Sequence, residues 1–219
     1  MHYKGLVFDF DYTLGDSTDG IVICVNHALN QLGYAQAKRD LICRTIGLHL
    51  QEVYQVMVKA QGKEEKLGEE EEFSRLFIEK ADRVMTENTL FFPGVLESLG
   101  QWKEQGYKLG IVTTKYRYRI EEILQKYQAS NLMDAIIGAD NVKRPKPDPQ
   151  GLLWMARMWE LPKEQLLYIG DSLVDAKTAQ AAGVDFVGVA SGTTTKEELQ
   201  QYPHAAVFDG IIGIRELLV

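Results

Sequence analysis

Two carboxylates stand one residue apart directly after an apolar run near the start of the chain. Leu6, Val7 and Phe8 lead into Asp9 and Asp11. Side chains at positions i and i+2 of a strand point the same way, so both carboxylates are expected to face one crevice. Like charges that close repel, and each raises the pKa of the other unless a cation or a shared proton neutralises them. The pair therefore predicts a site that binds a metal, holds a proton, or does both.

Further polar groups follow three later apolar runs. They are the segment Thr113-Thr114-Lys115, the proline-rich segment around Lys146, and the pair Asp171 and Asp175. Each segment taken alone is better explained as a turn, a helix cap or a surface cation, because short motifs have many false positives. Open α/β sheets bind their ligands at the carboxyl ends of the strands. Four such segments at one predicted sheet edge therefore indicate a functional site.

The elements that position these residues follow from the hydrophobic pattern. The run before Asp9 predicts a strand buried on both faces, as in a parallel sheet flanked by helices. From Phe91 onward apolar runs alternate with helical stripes, which predicts βαβ crossovers and a mostly parallel sheet. Residues 16–88 show helical stripes only. We therefore predict an α/β core domain from residues 1–15 and 89–219, with an all-helical domain inserted at 16–88 that could act as a lid.

Composition excludes several other classes. A net charge of −7 argues against a protein that binds the nucleic-acid backbone, although a local cation still allows a small anionic substrate. The two cysteines, Cys24 and Cys43, lack the spacing of a disulfide framework or a zinc site. No apolar run reaches the roughly 18 residues that a membrane helix needs. The first strand begins within a few residues of Met1, so no signal peptide is expected, and a cytoplasmic protein is predicted. The sequence leaves open a monomer or a homodimer.

The order and spacing of the four segments resemble the haloacid dehalogenase superfamily, and specifically its phosphatase branch. The stretch DFDYTLGDS is similar to the first motif of that family, IVTTK to the second, RPKPDP to the third, and YIGDSLVDAKTAQAAG to the fourth. The later stretch VASGTTTKEEL resembles one found in phosphoglycolate-phosphatase-like members. An insert after the first strand is similar to the helical-cap subclass. The resemblance implies a Rossmann-like core with an inserted helical cap domain.

The resemblance also implies an activity and residue roles. It suggests a Mg²⁺-dependent phosphatase that hydrolyses a small phosphate monoester through an aspartyl-phosphate intermediate. Asp9 would be the nucleophile, Asp11 the general acid and base, and Lys146 the cation that neutralises Asp9 and the phosphoryl group. Phosphate or substrate binding is implied for Thr113, Thr114, Lys115 and Arg44. The metal would be held by Asp9, Asp11 through its backbone carbonyl, Asp171, and Asp175 directly or through water.

Two residues depart from the family pattern. Tyr12 stands between Asp11 and Thr13, where the family more often has glycine. A side chain of that size must point away from the loop or narrow the entrance. Thr114 replaces a common asparagine but keeps a hydroxyl, so contacts to a leaving group are expected to differ. Neither departure touches a proposed catalytic atom.

Three other functions fit part of the pattern. A sugar-phosphate mutase of the same superfamily would use the same two aspartates, but Gly170-Asp171-Ser172 followed by Asp175 resembles the hydrolase pattern. A dehalogenase needs no metal and would not retain Asp11 and Asp171 together. A non-enzymatic module that accepts phosphate on Asp9 has no reason to carry an inserted lid. We therefore favour the phosphatase.

Overall fold

The computed structural model describes residues 2–218 and divides into two compact units. One unit, called the core here, contains residues up to Asp16 and from Phe91 onward, and the other, called the cap, is Ser17–Leu90. The chain thus leaves the core just after the motif that carries Asp9 and Asp11, and it returns at Phe91. No helix in the described residues combines the length and the apolarity that crossing a membrane requires.

A six-stranded sheet forms the centre of the core. The strands of the chain are β1 Gly5–Phe8, β2 Gly15–Asp16, β3 Leu90–Phe91, β4 Lys108–Val112, β5 Ala135–Ile137, β6 Leu166–Gly170, β7 Asp185–Val189 and β8 Ala206–Phe208. The sheet has the order β5-β4-β1-β6-β7-β8, and all of its neighbouring strands run parallel. The predicted α/β class with a mostly parallel sheet is confirmed. β2 and β3 pair separately where the chain passes between the two units.

Helices cover both faces of the sheet. The α-helices are α1 Thr18–Gln31, α2 Arg39–Cys43, α3 Leu50–Ala60, α4 Glu69–Val84, α5 Val95–Glu104, α6 Arg117–Lys126, α7 Gln150–Trp159, α8 Leu173–Ala182 and α9 Lys196–Leu199. In β1, Leu6 and Phe8 pack with the residues of α5 and α6. Val7 faces the opposite side and packs with α7 and α8. This alternation is the two-residue period of a strand, and burial on both faces explains why the run is wholly apolar.

The structure differs from the sequence-based expectation in its shortest elements. The apolar pattern from Ile211 to Leu218 predicts a last helix, but the structure has a run of 3₁₀ turns over Ile211–Glu216. The two-residue strands β2 and β3 and the four-residue helix α9 were not predicted. Hydrophobic periodicity needs more residues than these elements contain, so the pattern carries no signal for them.

Four helices, α1 to α4, make up the cap, whose core includes Leu29, Met57 and Phe73. A cluster of Tyr34, Tyr54 and Glu69 joins the segment after α1, helix α3 and the start of α4. Tyr34 and Tyr54 donate hydrogen bonds to Glu69 Oε2 at 2.5 and 2.7 Å. The hydrogen bond from Tyr34 is the largest influence on Glu69, and together with Tyr54 and Lys66 it lowers the pKa of that carboxyl below its usual range, although burial opposes it.

This cluster predicts a pH dependence of stability. A carboxyl whose pKa is lower in the folded protein stabilises the fold above its unfolded pKa, near 4.3 for glutamate, and loses that contribution as the pH falls through the folded value. Glu69→Gln should therefore lower the free energy of unfolding by about 1 kcal/mol at neutral pH, with a smaller difference in acid. Urea unfolding of the full chain between neutral and acid pH measures both effects.

Glu71→Gln is the matched control, because Glu71 is an exposed residue in the same first turn of α4. Both variants remove one negative charge near the start of the helix. An equal loss of stability in the two variants would show that helix electrostatics, and not the tyrosine cluster, is responsible.

Candidate active site

The predicted site residues of the core lie at the carboxyl end of the parallel sheet. β1 is flanked by β4 and β6, so the segments that follow these three strands are neighbours in space. The backbone N–H of Asp9 donates to the carbonyl of Ile169, which extends the pairing with β6 beyond the end of β1. The N–H of Thr113 likewise donates to the carbonyl of Ile137 beyond β4. Regular pairing therefore fixes the backbone from which the polar side chains project.

Lys146 brings two of the carboxylates together. Its ammonium group lies 3.0 Å from Asp9 Oδ1 and 2.7 Å from Asp175 Oδ1, and all three side chains are at most 4% exposed. Burial acts to lower the pKa of Lys146, but the charges of Asp175 and Asp9 outweigh it and raise that pKa above its usual range. The lysine is therefore a fixed positive charge.

The charge of the cluster is not balanced by Lys146. One carboxylate oxygen from each of Asp9, Asp171 and Asp175 lies within 4.8 Å of the others, and all three residues are buried. Burial raises the pKa of Asp9 to about 6; Lys146 opposes this rise, whereas Asp175 and Asp11 add to it. The pKa of Asp171 is also raised well above its usual value, first by burial and then by Asp175 and Asp9. Apart from the ammonium group of Lys146, Asp9 Oδ1 has no polar partner among the described residues.

These features fit a divalent cation. Clustered carboxylate oxygens are the donors that Mg²⁺ prefers, and a cation would supply the positive charge that the cluster lacks. Asp9 and Asp171 meet this requirement with their side chains. The side chain of Asp11 lies outside the three-carboxylate cluster, so its predicted part in metal binding is left to its backbone carbonyl.

Asp175 is already occupied by protein donors. Its Oδ1 accepts from Lys146 and, at 2.8 Å, from the hydroxyl of Tyr168. Its Oδ2 accepts from the backbone N–H and the hydroxyl of Ser172, at 3.1 and 2.5 Å. The Ser172 contacts form the capping box that starts α8, so the helix-cap interpretation of Asp175 is right, while its functional role stays a prediction. Of the two predicted modes of metal binding by Asp175, the one through water suits these contacts better.

Sequence reasoning missed Tyr168. It lies on β6 within an apolar run, and its fully buried hydroxyl accepts from Lys146 Nζ at 3.1 Å. Oxygens of Asp175 and Val112 lie at 2.8 and 3.1 Å as acceptors for its single proton. Burial, followed by the charge of Asp175, raises the pKa of Tyr168 well above 10, so it is a neutral donor. The one available signal was a tyrosine three residues before Asp171 in a strand that is otherwise aliphatic.

Lys115 contacts a different aspartate. Its ammonium donates to Asp11 Oδ2 at 2.7 Å, and the two side chains are 8% and 10% exposed. Its backbone N–H donates to Thr113 Oγ1 at 3.2 Å. Thr113 is buried and Thr114 is half-buried in the same loop. The structure thus brings Thr113 and Lys115 together with Asp11, although sequence reasoning assigned Lys115 to the substrate.

The backbone around the cluster is tightly packed. Tyr12 has a φ of 57°, in the left-handed region, and this explains why glycine is common at the position. Its carbonyl accepts a hydrogen bond from Ser191. A Cβ on the neighbouring Gly192 would lie 2.2 Å from Asp171 Oδ2 and 3.0 Å from the Tyr12 Cβ. Thr13 also donates to Asp171 Oδ1, at 3.3 Å. Residues 191–192 thus form a further wall of the site that sequence reasoning did not assign.

Arg44, the predicted substrate contact of the insert, is exposed and directly follows α2 in the cap. The adjoining Thr45 is buried, and its hydroxyl donates to the carbonyl of Ile42 at 2.7 Å. The role of Arg44 stays a prediction.

The carboxylate cluster predicts an unusual effect of Asp171→Asn. In metal-free buffer the variant should unfold at a higher temperature than the wild type, because one uncompensated buried charge is removed. Added Mg²⁺ should raise the unfolding temperature of the wild type by mass action and raise that of the variant much less. Thermal unfolding in chelator and in a magnesium series measures both.

The matched control is Asp209→Asn, since the Asp209 side chain is 92% exposed. It should leave the response to magnesium unchanged. A magnesium shift in Asp171→Asn as large as that of the wild type would remove Asp171 from the metal site.

Comparison with known proteins tests the resemblance to the haloacid dehalogenase superfamily. The sequence profile of the family described as haloacid dehalogenase-like hydrolase matches residues 6–189. The phosphoglycolate phosphatase of Salmonella typhimurium is 30% identical, with 95% of this chain and 90% of the relative covered. That of Cereibacter sphaeroides is 32% identical, with 98% and 97% covered.

Solved structures with the same fold lead to the same family. A haloacid dehalogenase-like hydrolase from Bacteroides fragilis is 41% identical with a TM-score of 0.91, over 97% of this chain and 99% of that one. A predicted phosphoglycolate phosphatase from Haemophilus somnus is 27% identical with a TM-score of 0.90, over 100% and 99%. The resemblance seen in the four motifs is confirmed, and the chain belongs to the haloacid dehalogenase-like hydrolase family.

Proposed function

We propose that this protein is a Mg²⁺-dependent phosphatase that hydrolyses a small phosphate monoester through an aspartyl-phosphate intermediate on Asp9. The position of Asp9 carries the proposal. Its carboxylate is buried at the carboxyl end of the central strand, 3.0 Å from Lys146 and beside Asp171 and Asp175. An anionic nucleophile needs such positive charge nearby, because the phosphoryl group that it attacks is itself negative.

The two aspartates of the first motif have different surroundings and are assigned different roles. Asp9 attacks phosphorus, and Lys146 neutralises charge on both the nucleophile and the phosphoryl oxygens. Asp11 contacts Lys115 and lies outside the three-carboxylate cluster. We assign to it the proton transfers, in which it gives a proton to the leaving oxygen and later takes one from water. Different charged partners thus separate nucleophile from acid.

The phosphoryl group is assigned to the loop after β4. The Thr113 hydroxyl accepts from the backbone N–H of Lys115, so its own proton is available for a phosphoryl oxygen. Thr114 adds a second hydroxyl in the same loop. A bound Mg²⁺, held by Asp9, Asp171 and the Asp11 carbonyl, would offset the charge of the phosphoryl group. Asp175 and Tyr168 hold Lys146 in place.

Phosphoglycolate is the substrate that we propose to test first. The curated relatives of 30–32% identity are named phosphoglycolate phosphatases. Phosphoglycolate carries a carboxylate as well as a phosphate, and the exposed guanidinium of Arg44 in the cap is suited to bind such a group. A panel that also contains sugar phosphates, nucleotides and pyrophosphate, scored by release of inorganic phosphate, identifies the preferred ester.

The nucleophile is tested by substitution. Asp9→Asn should lower turnover at least about a thousandfold, because the attacking oxygen is lost. Asp11→Asn should still form the phosphoenzyme from p-nitrophenyl phosphate, whose leaving group needs no proton, but should hydrolyse it slowly, because no base activates water. Rapid acid quench followed by intact-protein mass measurement detects the added phosphoryl group, and fragmentation of peptides from the same quenched sample shows whether it lies on Asp9.

Asp209→Asn serves again as the exposed control and should keep wild-type turnover. Full activity of Asp9→Asn would refute Asp9 as the nucleophile. A phosphoryl group found on another residue would refute the same assignment independently of any rate.

Tyr168→Phe tests the support of Lys146. The variant keeps the buried ring but removes the hydroxyl that contacts Lys146 and Asp175. We expect kcat to fall by about tenfold, in line with the loss of one hydrogen bond among charged groups. Steady-state kinetics, with thermal unfolding in parallel, separates a local effect from loss of fold.

Tyr107→Phe is the matched control, since the Tyr107 hydroxyl is also buried but donates to the carbonyl of Leu218 at 3.4 Å. It should keep the wild-type kcat. Equal kcat values for Tyr168→Phe and the wild type would show that Lys146 needs no help from Tyr168.

A further inference from the structure

The ion pair between Lys115 and Asp11 spans 104 positions of the chain, and both side chains are at most 10% exposed. Lys115 Nζ engages Oδ2 alone, whereas Asp11 Oδ1 is buried and makes no hydrogen bond to any residue in the range 2–218. Of the two Asp11 carboxylate oxygens, Oδ2 is therefore held by Lys115, whereas Oδ1 has no hydrogen-bond partner among the described residues. A carboxylate torsion is otherwise broad, so a single strong contact decides where the second oxygen points.

The backbone of Lys115 is itself fixed on two sides. Its N–H donates to Thr113 Oγ1, and its carbonyl accepts from the N–H of Ala139 at 3.1 Å. Gly138 permits this close approach, because a Cβ there would lie 2.7 Å from the Lys115 carbonyl oxygen and 2.4 Å from the Arg117 nitrogen. The Lys115 side chain thus reaches Asp11 from a backbone that is held by hydrogen bonds on both sides.

Fold stability explains this pair poorly. Ordering a lysine side chain costs about 1.5–2 kcal/mol of conformational entropy. Buried ion pairs return little net stability, because both charges lose their hydration. An arrangement of this kind is better explained by what it does to Asp11 than by what it adds to the fold.

We propose that Lys115 is a positioning residue that orients Asp11 for proton transfer to the leaving oxygen. The inference rests on the proposed function, in which Asp11 is the general acid. In the step concerned, Asp9 forms a bond to phosphorus while the bond from phosphorus to the ester oxygen breaks. A proton carried on Asp11 Oδ1, the oxygen that Lys115 does not contact, passes to the ester oxygen, so an alcohol leaves and Asp11 becomes the carboxylate that is paired with Lys115. Lys115 touches only Asp11 in this step.

The leaving group provides a specific test. An alkoxide leaves poorly without a proton, whereas a nitrophenolate leaves readily unprotonated, so only alkyl esters depend strongly on an oriented acid. The quantity to compare is kcat/KM, which for a double-displacement enzyme reports the steps up to phosphorylation of Asp9. We would measure it for glycerol 3-phosphate and for p-nitrophenyl phosphate with the wild type and Lys115→Met.

We expect Lys115→Met to lower kcat/KM at least about tenfold more for glycerol 3-phosphate than for p-nitrophenyl phosphate. This factor is smaller than the 10²–10⁴ that a general acid contributes to rate, because Asp11 itself is still present. In the Asp11→Asn background, Lys115→Met should leave the ratio of the two kcat/KM values unchanged within about twofold, because the two residues act as a unit. Lys177→Met, at an exposed lysine on α8, is the matched control for loss of a positive charge. Should Lys115→Met fail to fold, Lys115→Gln is measured in the same way.

Each other outcome overturns the inference. Equal losses for both esters would make Lys115 a structural residue or a general phosphate ligand. If phosphoglycolate is measured alongside, a loss of kcat/KM confined to it, with glycerol 3-phosphate spared, would make Lys115 a ligand of the substrate carboxylate, because glycerol 3-phosphate carries none. These failures leave the proposed function intact, whereas a wild type that hydrolyses neither ester nor phosphoglycolate would overturn the proposed function itself.

Discussion

The contact of Lys146 with Asp9 and Asp175 is the interaction on which the rest of the site depends. Without that ammonium group, three buried carboxylates would face one another with no positive charge supplied by the protein, and burial would favour their neutral forms. With it, Asp9 keeps a pKa of about 6 despite complete burial. The lysine is itself held by an oxygen of Tyr168 on β6. One cation, held by Asp9 after β1, Asp175 on α8 and Tyr168 on β6, thus allows acidic groups to gather at the end of a hydrophobic strand.

The parallel sheet makes this gathering possible. β1 lies between β4 and β6, so residues separated by more than a hundred positions become neighbours at a single edge. The helices on both faces bury the strands, which lowers the local polarity and strengthens each ion pair. The same burial raises the cost of an unpaired charge, and the polar side chains at the edge accordingly hold one another in chains of contacts.

The fold class and the central residues of the site could be predicted because their signals are local. An apolar run that ends in Asp9 and Asp11 is visible in a few residues, and so is the Asp171–Asp175 spacing that starts α8. The contact of Lys115 with Asp11 was not predictable, because it depends on the side chain reaching across adjacent strands. Tyr168 was missed for a related reason: in sequence it is one more bulky residue of a β-strand. The conformation of Tyr12 was hidden as well, since nothing in the side chain favours a φ of 57°.

Arg44 illustrates another limit. Its position after α2 follows from the helical pattern, but the pattern does not say what its guanidinium binds. The function of the buried charged residues can be inferred from their contacts with one another, because each buried charge needs a partner inside the protein. An exposed residue has water as an alternative partner, and its function therefore leaves a weaker imprint on the structure.

The division of the chain between core and cap has a consequence for evolution. Every ion pair and hydrogen bond described for the carboxylate cluster joins residues of the core, which the chain leaves after Asp16 and re-enters at Phe91. Substitutions in the inserted helices can therefore accumulate without removing any of these contacts. Selection could alter the inserted segment while leaving those contacts under separate, stricter constraint. A single scaffold of this kind can diversify in one segment of its gene and stay nearly constant in the two that flank it.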